Sequence, residues 1–515
     1  MLRKMITRLK KEQLVFKEKI ALAAFSALLL VFSFPGFNLW FLAFFAFIPL
    51  FYLLERSTPR QAFCLAYLFG LIFWWGNIYW LINVTFLGTA VLIFYLSLYP
   101  ALFALVFKRH FRGDSLPGII ITGLFWVILE FLRSYLLTGF PWSLLAYTQQ
   151  FNPVFIQSAD IAGAWGVSFL VILVNLLAYL FLNSLLRRQK LPRMIFIPLL
   201  IISCALLYGF YKLHAPLARG RSGALRVCVV QGNIPQELKW DPKEREFITE
   251  KYCALTRKAS AGNPDLVIWP EAALPVVLQD EPAVFARVEK LAREIKIPIL
   301  LGAVTRRGGS YYNSAIMVSS TGQVSNFYDK LHLVPFGEYI PLRKTLPFLE
   351  TIAPIGDIEK GRQFTIFQVN PRNRAEAGGN LGVLICFEDL FPELSAGFVR
   401  KGAGFLVNIT NDAWYMKTAA AAQHFQASVF RAVENNVFLV RSANTGISGF
   451  ISPRGQIISL VSDKEGNVIF IDGYLSEEIV LGQKNLTFYS RFGDIFILLV
   501  SFYLFGALLL SRKKQ

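Results

Sequence analysis

Three short stretches carry residue types that together can run acyl-transfer chemistry. In Gly382-Val-Leu-Ile-Cys-Phe-Glu-Asp389 an apolar run reads as a buried strand and delivers Cys386 to its end, with Glu388 and Asp389 just beyond. A free cysteine is most often a small buried hydrophobe, but one at a strand-to-turn junction beside acids is a candidate nucleophile. Asp265-Leu-Val-Ile-Trp-Pro-Glu271 is a second apolar strand ending in an acid, and Tyr328-Asp-Lys-Leu-His-Leu-Val-Pro-Phe-Gly-Glu338 presents Lys330 among apolar neighbours. Glu271 would take the thiol proton as attack occurs, and Lys330 would stabilise the negative charge that builds on a carbonyl oxygen. Glu338 is a second acid able to hydrogen-bond Lys330 or hold Glu271, and Glu388 could orient the turn that carries the cysteine. Each residue taken singly also has a plain reading as a strand-end acid, an edge lysine or a loop acid; the combination is what carries weight.

The elements that must position these residues fall in one block of a chain that is otherwise unlike a soluble protein. Of its 515 residues 55% are hydrophobic and 48 are Phe, with a mean hydropathy of +0.47, which marks a partly membrane-embedded protein. A basic tail over 1–18 precedes a nearly continuous apolar block over 19–213, and residues 214–485 have ordinary globular composition. A final apolar run over 486–515 closes with Arg512, Lys513 and Lys514. A spanning helix needs about 20 apolar residues, so seven spans are expected over 19–35, 38–54, 62–82, 87–107, 117–138, 160–186 and 194–213, with an eighth near 493–511. The first apolar run lacks a small-residue cleavage site and is expected to remain as an anchor.

The net charge of +18 is spread in a telling way: Arg56 and Arg60, then Lys108, Arg109 and Arg112, then Arg187, Arg188, Lys190 and Arg193 mark alternate loops. The positive-inside rule places those loops and the basic tail on the cytoplasmic side and the globular block outside. No basic groove with interleaved aromatics occurs in that block, which argues against nucleic acid as a partner. Five cysteines leave no disulfide framework, and His110, His214, His332 and His424 have no metal-ligand spacing, so neither a metal nor a cofactor is expected.

Within the globular block strands and helices interleave: a strand at Leu225–Val230, a helix from about 242, another over 283–296, and strands over 297–304 and 312–319. After Cys386 come a strand over 404–410, a helix near 417–436, a strand over 436–441 and two last strands near 448–459 and 467–473. This order predicts a layered α/β fold. In the apolar block Glu130 and Arg133 share one helix face and read either as a functional pair or as a bridge between helices. Trp74, Trp75 and Trp80 read as an interfacial belt. Leu342-Arg-Lys-Thr-Leu-Pro-Phe-Leu349 is too apolar for an ordinary exposed loop and is expected to form a lid at the bilayer surface.

Glu, Lys and Cys in this order, with the Cys-Phe-Glu-Asp turn, resemble the nitrilase superfamily. A domain of that kind set before the last of eight spans resembles its membrane-bound branch, the apolipoprotein N-acyltransferases. Further stretches that carry the likeness are Thr138-Gly-Phe-Pro-Trp142 following Glu130 and Arg133, Gln231-Gly-Asn-Ile-Pro235, Val334-Pro-Phe-Gly-Glu-Tyr339, Asn411-Asp-Ala-Trp414 and Thr487-Phe-Tyr-Ser-Arg-Phe-Gly-Asp494. The resemblance implies an α-β-β-α sandwich beside an eight-helix membrane domain, and a Glu271, Lys330, Cys386 triad that needs no cofactor. It implies a ping-pong reaction in which Cys386 takes an acyl chain from a phospholipid and passes it to the α-amine of the diacylglyceryl-cysteine of an apolipoprotein. The implied setting is the bacterial inner membrane, with a monomer whose catalytic domain faces the periplasm. Trp240, Trp414, Phe387 and Trp142 are the implied substrate contacts, with Phe348 and Leu349 in the lid. Phe387 stands where a tyrosine is also familiar, so no hydroxyl role attaches to it. Two rival classes fit parts of the chain: a membrane-tethered amidase acting on small soluble amides, and a transporter with an inactive cap.

Overall fold

The computed structural model describes residues 14–111, 115–216, 223–340, 358–372, 378–481 and 485–512. It separates into two units, one formed by Met1–Ala215 with Asp494–Gln515 and the other by Pro216–Gly493.

The first unit is helical: α1 (Phe16–Ser33), α2 (Ile48–Glu55), α3 (Pro59–Ile78), α4 (Phe86–His110), α5 (Leu116–Tyr135), α6 (Ala159–Arg187), α7 (Phe196–His214) and a last helix, Ile495–Arg512, packed against α5 and α6. The expected count of eight spanning helices is not confirmed by length and composition. Among the described residues five helical stretches are long and apolar enough to cross a bilayer: Pro59–Asn83, Phe86–His110, Leu116–Thr138, Ala159–Arg187 and Arg193–His214. Trp40–Glu55 and Ile495–Ala507 are apolar but shorter. The second expected span breaks because a tight turn over Trp40–Phe44 ends before Pro49 restarts a helix, which fits a residue favoured in the first helical turn and disfavoured deeper in. Helix α6 is kinked at Gly163, whose φ of 65° no helical residue adopts.

Glu130 and Arg133 turn out to serve the backbone. Arg133 Nη1 donates to the carbonyls of Phe140 (2.6 Å) and Trp142 (2.7 Å), Glu130 Oε1 accepts the Leu145 N–H at 2.7 Å, and the guanidinium lies 4.8 Å from the Trp74 ring centroid. The segment they hold is irregular, with positive φ at Leu137, Thr138, Gly139 and Ser143, and non-helical backbone in an apolar unit needs protein partners for its polar groups. The tryptophan belt also needs correction: Trp74 and Trp80 are buried, because they pack on this loop, and only Trp75 is exposed.

Among the described residues the second unit holds two six-stranded sheets. Its strands are β1 (Ala224–Gln231), β2 (Leu266–Ile268), β3 (Ile299–Arg307), β4 (Ser310–Val318), β5 (Val324–Asp329) and β6 (Ile366–Val369). Then follow β7 (Gly379–Ile385), β8 (Phe405–Thr410), β9 (Phe438–Ala443), β10 (Gly449–Ile451), β11 (Ile457–Leu460) and β12 (Gly473–Val480). One sheet runs β12-β1-β2-β3-β4-β5 and the other β11-β10-β9-β8-β7-β6. Each has a core of three parallel strands, β1-β2-β3 and β7-β8-β9, flanked by antiparallel ones. Helices α8 (Arg245–Ser260) and α9 (Pro282–Ile295) pack on the first sheet, and α10 (Pro392–Arg400) and α11 (Ala420–Asn435) on the second, giving the expected α-β-β-α sandwich. The inner faces meet where Ser442 Oγ donates to the carbonyls of Val230 and Ile268 across the layers.

Helix α9 shows why the layers form: Phe285, Val288, Leu291 and Ala292 recur at helical spacing and are all buried against the first sheet. Two strand expectations shift. The stretch 448–459 is a hairpin, β10 and β11, turning at Gly455 with φ 76°. The last strand lies at Gly473–Val480 instead of 467–473, paired along the whole of β1, where its alternation is masked by the acids Glu477 and Glu478.

Candidate active site

Cys386, Glu271 and Lys330 each follow the carboxyl end of a strand, β7, β2 and β5 respectively. That end of parallel strands is where α/β sheets present their ligands. Cys386 has φ 54° and opens a tight turn, Cys386–Leu390, so it leaves the strand direction at once and remains partly exposed. A β-carbon at such a φ is strained, and strain of this kind collects at functional turns. Glu271 is followed by Ala272 at φ 43°. The preceding Trp269 is fixed by its indole N–H to Thr256 Oγ1 (2.8 Å) and by stacking on Tyr252. Gly302 of β3 lets that acid-bearing turn close in: a β-carbon there would sit 2.6 Å from Glu271 Cα and 2.7 Å from the Ala272 nitrogen.

The charged groups converge tightly. Lys330 is 1% exposed, with Nζ 3.0 Å from the Glu338 carboxylate and 3.5 Å from Glu271 Oε1. Glu338 is held in turn by the Val334 N–H on its Oε2 at 2.8 Å. Glu388 is fully buried and ties the cysteine turn to the lysine segment: it accepts the N–H of Ile385 (2.7 Å), of Leu331 (2.6 Å) and of His332 (3.0 Å), and the Tyr328 hydroxyl. Below the turn, Asn408 Nδ2 donates to the Cys386 carbonyl at 3.1 Å, and Arg441 Nη1 holds both Asn408 Oδ1 (2.8 Å) and Asp389 Oδ2 (2.9 Å). His424 bridges Asp389 (2.9 Å) and Asp412 (2.8 Å). With a carboxylate on each ring nitrogen, it must donate from both and is an imidazolium.

The electrostatics follow from these contacts. Burial and then the neighbouring Glu271 push the Cys386 thiol well above its usual range, while Lys330 and the Thr410 hydroxyl pull the other way. Cys386 therefore rests as a thiol, and any bond made by its sulfur requires the proton to leave. Burial works against the charge on Lys330, but Glu338, Glu271 and Cys386 outweigh it and hold the ammonium more tightly than water would. Burial raises Glu388 to about 7 despite its backbone donors. For His424, burial and Arg441 lower the value, yet Asp389 and Asp412 lift it to about 9. Cys228 and Cys253 are pushed by burial to about 11, which keeps both thiols inert.

Of the anticipated residues, the structure brings Glu271, Lys330, Cys386, Glu338 and Glu388 together. Trp240 and Trp414 are 45% and 54% exposed, whereas Phe387 is buried against Phe391. Trp142 belongs to the helical unit, where it is buried against Trp80 with ring centroids 4.9 Å apart. Phe348, Leu349 and the rest of the expected lid lie outside the described residues.

Two further side chains belong to the cluster. Lys239 is buried, donates to the Glu271 carbonyl at 3.1 Å, and is lowered by burial to about 8 while Glu271 and Cys386 pull it back up. Asn313 reaches both Glu271 and Glu338 through Nδ2, at 2.7 and 2.8 Å. Among the described residues no three His, Cys, Asp or Glu side chains gather as a metal site would require. A partly exposed thiol, a carboxylate able to take its proton and a fixed cation are what acyl transfer through a thioester requires.

Comparison with known proteins adds two family matches. Residues 26–177 match the apolipoprotein N-acyltransferase N-terminal domain, and residues 226–477 match the carbon-nitrogen hydrolase family. An apolipoprotein N-acyltransferase of Geobacter metallireducens is 41% identical over 499 residues, covering 92% of each chain. One from Brucella melitensis is 31% identical over 490 residues, covering 88% of this chain and 89% of its own. Among solved structures, an amidase from Nesterenkonia sp. is 18% identical with a TM-score of 0.39, covering 53% of this chain and 95% of the amidase.

Proposed function

The chain belongs to the apolipoprotein N-acyltransferase family, and from that premise we propose that Glu271, Lys330 and Cys386 perform the transfer by a ping-pong route with a phospholipid as donor. The observation that carries this reading is the buried Lys330 ammonium held beside two carboxylates, next to a thiol on a strained turn.

In the first half-reaction Sγ attacks the ester carbonyl as Glu271 takes the thiol proton, and Lys330 donates to the oxygen that becomes negative. The C–O bond then breaks, and the departing alkoxide takes the proton back from Glu271 to leave as lysophospholipid. In the second half-reaction the neutral α-amine of the diacylglyceryl-cysteine attacks the thioester and yields a proton to Glu271. The C–S bond breaks, and that proton returns to the sulfur. The exposed indoles of Trp240 and Trp414 support contact with acyl chains, and the apolar types of Phe348 and Leu349 suit the same role.

The apolar helices make this a membrane protein, and the family points to the bacterial inner membrane. The loop charges support a catalytic unit on the periplasmic side. Reporters fused at residues 110 and 190 are expected to read as cytoplasmic and one near residue 375 as periplasmic; the reverse pattern would place the chemistry on the wrong side.

The reaction is tested with purified enzyme given labelled phospholipid and a diacylglyceryl-cysteine peptide. Label is expected on the peptide amine, with no hydrolysis of small amides. Steady amide hydrolysis without acyl transfer would turn the assignment to a tethered amidase.

A further inference from the structure

Among the described residues, every hydrogen bond that reaches the Glu271 carboxylate lands on one oxygen. Asn313 Nδ2 donates to Oε1 at 2.7 Å and Lys330 Nζ faces the same Oε1 at 3.5 Å, so Oε2 keeps its lone pairs. The same Asn313 amide donates its other hydrogen to Glu338 Oε1 at 2.8 Å. Its main-chain carbonyl accepts the Lys330 N–H at 2.9 Å. We infer that Asn313 is the positioning residue that selects which oxygen of Glu271 works as the base, by occupying Oε1 and leaving Oε2 for the proton in transit.

The orientation of this amide is not open to exchange. Turning it over would aim Oδ1 at two carboxylates, so the two donors must face them. The orientation has a cost, since Oδ1 is then buried with no hydrogen-bond partner among the described residues, and buried acceptors are seldom left so. A site that keeps such a group does so for what the opposite end of the amide achieves. An amide also suits the task chemically: it fixes two negative groups side by side yet neither gives up nor takes a proton when Glu271 does. Its position follows from the sheet, because β4 pairs with β3 in a register that sets Asn313 opposite Val304, and β3 meets the Glu271 turn through Gly302.

The inference rests on Glu271 being the base, and the test separates the two. Acyl-enzyme formation is followed in a single turnover over a pH series for the full-length protein and for Asn313→Asp, Asn313→Ala and Glu271→Gln. The groups facing position 313 are Glu271, Glu338 and Lys330, with Lys239 and Cys386 behind Glu271. An aspartic acid there can donate only while protonated, and its two carboxylate neighbours hold that proton on. The Asn313→Asp rate relative to wild type should therefore climb as pH falls, a ratio that does not depend on how much protein folds. Asn313→Ala should be slower by about 10²-fold, as for a displaced reacting group, with a flat ratio. KM for phospholipid should not change in either. A pH-independent ratio for Asn313→Asp, or Asn313→Ala within about twofold of wild type, would overturn the positioning role while an inactive Glu271→Gln leaves the base assignment standing. Normal acylation by Glu271→Gln would remove both.

Discussion

Cys386→Ala is expected to form no acyl-enzyme and to transfer no acyl chain, with a fall in rate on the order of 10⁶-fold, the scale seen when a covalent nucleophile acting as a unit with its base is removed. The size of the loss follows from the division of labour in the site. In the proposed mechanism Glu271 and Lys330 act on the proton and the oxyanion, and neither can supply the second electrophilic centre that the thioester provides. The variant should still fold, because the turn is held by Glu388, Asn408 and the Arg441 and His424 network and not by the thiol. Cys386→Ser should be nearly as inactive, since an alcohol beside a carboxylate is a far weaker nucleophile than a thiol that loses its proton on attack. Transfer to a diacylglyceryl-cysteine peptide by folded Cys386→Ala at more than a trace would exclude this residue from the mechanism.

Lys330→Met should cost activity and stability together. Losing one donor to a developing oxyanion typically slows a reaction by about 10²- to 10³-fold. Lys330 also neutralises the carboxylates of Glu271 and Glu338, which Asn313 holds side by side. Removing one partner of so buried a group leaves uncompensated charge, worth about 3–5 kcal/mol, so the melting temperature in detergent should drop as well. Lys330→Arg keeps the charge, but its planar fork cannot reproduce a single ammonium between two acids, and it should recover stability more than rate. An unchanged melting temperature together with an unchanged acylation rate in Lys330→Met would show that the lysine does neither job.

What could be read in the sequence depended on whether the signal was local. Cys386 and Glu271 were legible because an apolar strand that ends abruptly in a reactive group is a pattern within eight residues. A layered α/β fold was legible in outline because strands and helices interleave along the globular block, whereas the sandwich came from the family resemblance. Asn313 was not legible: between Tyr312 and Ser314 it looks like any polar strand residue, and its meaning arises only when β3 and β4 pair. Lys239 lies in Gln-Glu-Leu-Lys-Trp-Asp, which reads as a solvated segment, yet the fold drives it under the Glu271 carbonyl. Glu130 and Arg133 were conspicuous for their charge, but their partners are main-chain groups of a loop whose shape no periodicity reveals. The packing of Trp142 against Trp80 was not legible for the same reason, since it is the folding back of that loop that brings the rings together. The expected helix count rested on hydropathy, which registers apolar length and not the interruption before Pro49.

The central claim is that the acyl chain rests on Cys386 before any acceptor arrives. Its most direct test is to incubate the full-length protein with acyl-labelled phospholipid in the absence of apolipoprotein, then digest the protein and map the label. One acyl group per chain is expected on the peptide that contains Cys386, released by neutral hydroxylamine as a thioester is, and chased onto a diacylglyceryl-cysteine peptide when that is added. No labelled protein until the acceptor is present, or label on any other residue, would contradict the account.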